Sequence, residues 1–204
     1  PLNPTLHFAR ENGMELHYVS RSDYREKATL DFLEKLKAQF GDFYMIPEGG
    51  TNELAIQGTS EILEANDTQD YICCAVGTGG TIAGIIKASN DKQTVIGFPA
   101  IKGIDALEKY IKNWKNLINY KFINTYFGNG YAKVSEELVQ FINEFNIIHD
   151  IPLDAIYTGK MMMGILDLVA KDYFPKGSSI LAIHTGGLQG NKGMSERLGI
   201  SLPL

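Results

Sequence analysis

Apolar residues recur along this chain in two periods. In "DYREKATLDFLEKLKAQFG" (23–41), Leu30, Leu33, Leu36 and Phe40 fall at helical spacing, with Ser22 or Asp23 as a cap and Gly41 as a stop. Similar spacing predicts helices over 53–65, 82–88, 103–114, 136–147 and 159–174. Short apolar runs between them predict strands at "ELHYVS" (15–20), "DFYMIPEGGTN" (42–52), "YICCAV" (71–76), "QTVIGFPAI" (93–101) and "SILAIHTGG" (179–187). Continuous apolar strands alternating with helices imply an α/β fold, its mostly parallel sheet covered on both faces.

Three of these strands end in glycine- and hydroxyl-rich turns: "IPEGGTN", "AVGTGGT" and "IHTGG". Ligands in such sheets bind at the carboxyl ends of strands, so three turns at one edge would make a pocket lined by backbone N–H groups. In the middle turn, Gly77, Gly79 and Gly80 allow close approach and positive φ, and Thr78 and Thr81 add hydroxyls. The helix behind it offers free N–H groups and a positive dipole end, which suits a phosphate, although a bare strand-to-helix turn has the same local pattern. The dinucleotide fingerprint fails because Ile82 stands where its third glycine belongs, and no acidic residue follows the next strand. The triphosphate loop fails because Ile85 and Ile86, not Lys and Ser or Thr, follow Gly84. A compact monophosphate remains.

Composition narrows the class further. With 204 residues, 44% hydrophobic and 21% charged, the chain has the make-up of an ordinary globular protein. A net charge of −5 and only four arginines argue against nucleic acid, and no apolar run suggests a membrane span. The adjacent Cys73 and Cys74 read as small buried hydrophobes rather than a disulfide, which makes a reducing, cytoplasmic compartment the default. His7, His17 and His149 lack metal-ligand spacing, and no metal is expected.

"GTGGTIAG", "IPEGGTNELAIQG", "GNGYAKVSEE", "IYTGKMMMGILDLV" and "ILAIHTGGLQG" together, in this order, resemble the motifs of pyridoxal-phosphate enzymes related to 1-aminocyclopropane-1-carboxylate deaminase and D-cysteine desulfhydrase. The resemblance covers essentially the whole chain. It implies the tryptophan synthase β-like fold (fold type II), with 1–41 the end of a smaller α/β domain and 42–204 most of the large pyridoxal-phosphate-binding domain. It also implies a small amino-acid substrate, a homodimer, and release of ammonia and a 2-oxoacid.

Carried over by position, Gly77, Thr78, Gly79, Gly80 and Thr81 would cradle the cofactor phosphate. Thr185 and Gly186 would line the cofactor's far side, and Thr158 would sit near its pyridine nitrogen. Tyr157 and Tyr131 would be the active-site tyrosines, and Glu48, Gly49, Gly50, Thr51 and Asn52 would line the substrate pocket. Each also has a plainer reading: Thr158, Thr51 or Asn52 as a helix cap, Tyr131 as a half-buried loop aromatic, and His184 as a strand-end histidine. Met161, Met162 and Met163 read as adaptable packing.

The resembling deaminases carry glutamate at the position of Thr158, and the desulfhydrases threonine. A hydroxyl there leaves the nitrogen nearer neutral, which suits β-elimination of a good leaving group, so the resemblance leans towards a desulfhydrase. The ring-opening deaminase is the alternative, and a non-catalytic phosphate-ligand module is another.

The lysine that forms a Schiff base with the cofactor has no counterpart motif here. Gly190, Asn191 and Lys192 spell the right letters behind the last strand, where Lys192 reads as a solvated surface lysine. Lys160 belongs to the "YTGK" motif and is not, by resemblance, that lysine. The chain also opens without an initiator methionine, as if in mid-fold. The expectation is of a carboxyl-terminal part, inactive by itself.

Overall fold

The computed structural model describes residues 2–100, 119–126, 128, 130 and 132–204. The chain forms two compact units, Pro1–Pro47 and Glu48–Leu204.

The first unit holds three helices, α1 (Pro4–Glu11), α2 (Arg21–Arg25) and α3 (Leu30–Phe40). The single helix expected over 23–41 is two, because Thr29 restarts the chain: its Oγ1 accepts the Phe32 amide at 3.3 Å. Ser20, not Ser22 or Asp23, caps α2, accepting the Asp23 amide at 3.1 Å. Gly41 ends α3 with φ 77°, as expected. None of these helices contains a buried residue. The strand expected at 15–20 does not form, and 42–47 is not a strand either. Alternation alone makes no ladder without a partner strand to take up its hydrogen bonds.

The second unit begins with a 3-10 turn, Glu48–Gly50, and continues into α4 (Glu53–Thr59) and a further 3-10 turn, Ser60–Ile62. Then follow β1 (Tyr71–Val76), α5 (Gly80–Ala88), β2 (Thr94–Pro99) and β3 (Tyr120–Phe122). α6 (Glu136–His149), α7 (Thr158–Ala170), β4 (Ile180–Ile183) and α8 (Gln189–Leu198) complete it. The helix expected over 103–114 lies outside the described residues. The sheet has the order β3-β2-β1-β4, and every pairing is parallel.

β1 is the centre of the core. Ile72, Cys74 and Val76 face α5, packing with Ile82, Ile85 and Ile86. Cys73 and Ala75 face α7, packing with Met161, Ile165 and Leu168. Successive strand residues point to opposite faces, so the two cysteines lie on opposite sides of the sheet and cannot bridge. Burial pushes both thiols up to about 12. A third cluster joins Leu138, Ile142 and Phe145 of α6 to Leu153 and to Met194 of α8. Among the described residues no helix is long and apolar enough to cross a membrane.

Candidate functional site

β1 ends at Val76, and the chain turns through Gly77, Thr78 and Gly79 into α5. Gly79 is the N-cap of α5, in the left-handed region at φ 96°, and no side chain caps this helix. Glycine brings no side chain to the first-turn amides, which at a helix start have no partner within the helix. Here the helix end opens on a cavity of about 300 Å³.

Three turns meet at that cavity. Gly49 comes from the 3-10 turn, residues 77–81 from the loop after β1, and Thr185, Gly186 and Gly187 from the end of β4. Tyr157, at the start of α7, and Gln189, at the start of α8, complete the polar lining. The turns approach closely because glycines leave room. A Cβ on Gly49 would lie 2.5 Å from the Thr78 side chain, and one on Gly77 would lie 3.3 Å from the Tyr157 ring.

The remaining residues of the 48–52 turn divide by role. Thr51 Oγ1 hydrogen-bonds Thr78 Oγ1 at 2.6 Å, and so bears on the cavity through its neighbour. Asn52 caps α4, its Oδ1 accepting the Ala55 amide at 2.8 Å. Glu48 and Gly50 are not among the lining residues.

Thr158 is fully buried. Its hydroxyl donates to Asp154 Oδ2 at 2.7 Å and accepts the Asp154 amide at 2.9 Å. The structure therefore holds Thr158 beneath the lining instead of in it, and the helix start is capped by Asp154. Tyr131 lies outside the described residues.

His184 holds the turn that follows β4. Its Nε2 lies 2.9 Å from the Pro152 carbonyl, which can only accept, and its Nδ1 lies 3.2 Å from the Gly186 amide, which can only donate. These two partners select the neutral Nε2–H tautomer and leave His184 a holder of the glycine turn.

The lysines lie elsewhere. Lys192 is exposed on α8. Lys160 is buried, and its Nζ donates to the Gly130 carbonyl at 3.2 Å. Burial pushes its ammonium below the ordinary lysine value, opposed by the Asp154 carboxylate. It lines a second cavity of about 330 Å³ with Tyr126, Lys133 and Asp167.

Sequence reasoning missed Gln189 and Asp154, and reached Gly187 only as part of the "IHTGG" turn. Gln189 had a usable signal, since it opens a helix directly behind a glycine turn. Asp154 had none, because its importance depends on what folds against it.

A family model described as pyridoxal-phosphate dependent enzyme matches residues 4–186. The chain is 32% identical over 209 residues to the mitochondrial bifunctional D-cysteine desulfhydrase/1-aminocyclopropane-1-carboxylate deaminase of Arabidopsis thaliana, covering 87% of this chain and 51% of that protein. It is 30% identical over 178 residues to the D-cysteine desulfhydrase of Serratia proteamaculans, covering 77% and 54%. The crystal structure of an ACC deaminase homologue matches with a TM-score of 0.78 at 25% identity, over 96% of this chain and 67% of that one. The chain thus spans roughly half to two thirds of the length of the curated relatives it matches.

Proposed function

This chain belongs to the pyridoxal-phosphate dependent enzymes, in the group of 1-aminocyclopropane-1-carboxylate deaminases and D-cysteine desulfhydrases, and we propose that its uncapped α5 turn holds the phosphate of that cofactor. The residues fit the group. Gly77, Thr78, Gly79, Gly80 and Thr81 offer amides and hydroxyls at a helix N-terminus, in a cleft that added Cβ atoms would crowd. Thr185 is the lining hydroxyl of the far turn, and Tyr157 stands over Gly77.

When bound, pyridoxal phosphate supplies an electron sink for bond breaking at the α-carbon of an amino acid. The chain's own residues would orient it: backbone amides would hold the phosphate, Thr185 would present a hydroxyl, and Tyr157 would hold or move a proton at its phenolic oxygen.

The activity best supported is elimination and deamination of a small amino acid of the D-cysteine type, releasing ammonia and a 2-oxoacid. One observation carries this preference over ring opening: none of the described lining residues is a carboxylate, so the polar groups that would face the cofactor are hydroxyls and amides. Without a carboxylate to stabilise a protonated pyridine ring, the site suits a substrate with a good leaving group. No lysine is among the described lining residues either. The activity proposed is that of the whole protein, acting as a homodimer.

The test assays the whole protein for sulfide from D-cysteine and for 2-oxobutyrate from 1-aminocyclopropane-1-carboxylate. Sulfide is the expected product, and 2-oxobutyrate alone would select the deaminase. Cofactor binding with neither product would leave a phosphate-ligand binding module.

A further inference from the structure

Asp154 is 2% exposed, yet it is a carboxylate in the turn that leads into α7. A charge so buried survives only when its acceptor sites are filled. Its Oδ1 accepts the amides of Ile156 and Tyr157, each at 2.8 Å. Its Oδ2 accepts the Thr158 amide at 2.8 Å and the Thr158 hydroxyl at 2.7 Å.

Two further contacts extend its reach. A Cβ on Gly187 would lie 3.0 Å from Asp154 Cγ and 3.1 Å from Oδ2, so the carboxylate sits close against the glycine turn and leaves no room for a side chain there. The turn carrying Asp154 is itself clamped by Asn191, which is 1% exposed. Asn191 Oδ1 accepts the Ala155 amide at 3.3 Å, and its Nδ2 donates to the carbonyls of Leu153 at 3.0 Å and Pro203 at 2.8 Å.

We propose that Asp154 is a positioning residue whose buried carboxylate fixes Tyr157 and the Gly187 turn, two walls of the cavity, relative to each other. It does not line the cavity itself. A helix cap alone would need only the amides, whereas this carboxylate also bears on a turn 33 residues further along the chain (187 − 154). Its catalytic consequence rests on the reading that Tyr157 acts at this cavity.

The test labels the whole protein with 3-fluorotyrosine and assigns the Tyr157 resonance with Tyr157→Phe. Asp154→Asn presents an amide N–H₂ either to the Thr158 donors at Oδ2 or to the Ile156 and Tyr157 amides at Oδ1; both unseat the turn that carries Tyr157, so the Tyr157 fluorine resonance should shift. Turnover should fall about tenfold in kcat, a loss of the size expected for removing hydrogen bonds to a charged acceptor, with little change in KM. Combined with Tyr157→Phe, it should add less than about a twofold further loss, because coupled residues are not additive. An unmoved resonance, or losses that multiply, would overturn the proposal.

Should Asp154→Asn fail to fold, Thr158→Val leaves the carboxylate in place, removes the 2.7 Å hydroxyl donor together with the 2.9 Å acceptor of the Asp154 amide, and should move the same resonance in a folded protein. An unmoved resonance there is equally fatal. A shifted resonance beside full turnover in Tyr157→Phe would instead sink the catalytic reading of Tyr157 and leave the positioning intact.

Discussion

Thr51 and Thr78 share a hydrogen bond of 2.6 Å between their hydroxyls, tying the turn before α4 to the glycine-rich loop after β1. The link holds Gly49 against the Thr78 side chain, where no larger residue fits. Thr51→Val keeps the shape and removes the bond. The expected cost is about 0.5–1 kcal/mol of stability and a several-fold weaker hold on pyridoxal phosphate, with Thr51→Ser restoring both. Denaturant titration and cofactor titration measure the two effects. Equal behaviour of the Val and Ser variants would show that the bond contributes nothing.

α4 packs on the glycine face of α5. A Cβ on Gly84 would overlap Thr59 Oγ1 and lie 2.6 Å from the Ser60 amide nitrogen. Thr59 Oγ1 also lies 3.1 Å from the Gly80 carbonyl, at the start of the phosphate turn. Gly84→Ala should therefore destabilise by about 1–3 kcal/mol through overpacking, despite alanine's better helix propensity. It should also weaken binding of pyridoxal phosphate more than that of pyridoxal, which lacks the phosphate. A Gly84→Ala protein as stable as the parent would mean that α4 shifts aside freely.

Cys73 and Cys74 predict a pH dependence. Their folded values of about 12 stand above the ordinary 9.0, with burial the first cause for both. The stability they contribute is complete below about pH 9 and is lost as the pH rises towards 12, because unfolding then releases thiols that ionise. The slope approaches about 1.4 kcal/mol per pH unit for each thiol. Replacing both with alanine should flatten the alkaline fall in unfolding free energy, whatever it does to stability at neutral pH. In the folded parent, both should resist thiol reagents until denaturant is added. Fast labelling of the native protein contradicts the burial.

The layered sheet was legible in the chain where periodicity was strong. β1, α5, β2, α6 and α7 lie where their apolar patterns placed them, within a few residues. Three elements escaped notice, the first of them α1 (Pro4–Glu11), an eight-residue helix with no buried residue to mark a face. β3 has only three residues, too few to show a period. α8 reads "QGNKGMSERL", with two glycines and no apolar stripe; it is held by burial of Asn191 and Met194. The expected strand at 15–20 failed for the opposite reason, since its alternating pattern found no ladder partner. Met161 and its two neighbours proved to be packing, as their helical setting suggested.

The candidate site divides in the same way. "YICCAVGTGG" alone determines a buried strand that turns through glycine into an uncapped helix, because burial period and positive φ are properties of neighbouring residues. What waits in that turn for an anion is therefore written locally. Which distant groups join it is not. Thr51 reaches Thr78 across 27 residues, Thr185 and Gly186 arrive from the last strand, and Thr158, which the motif places beside the cofactor, is drawn under the lining by Asp154. Only the tertiary structure decides these pairings, since a side chain's partner depends on where two separately folded segments meet and on which buried charge must be satisfied there.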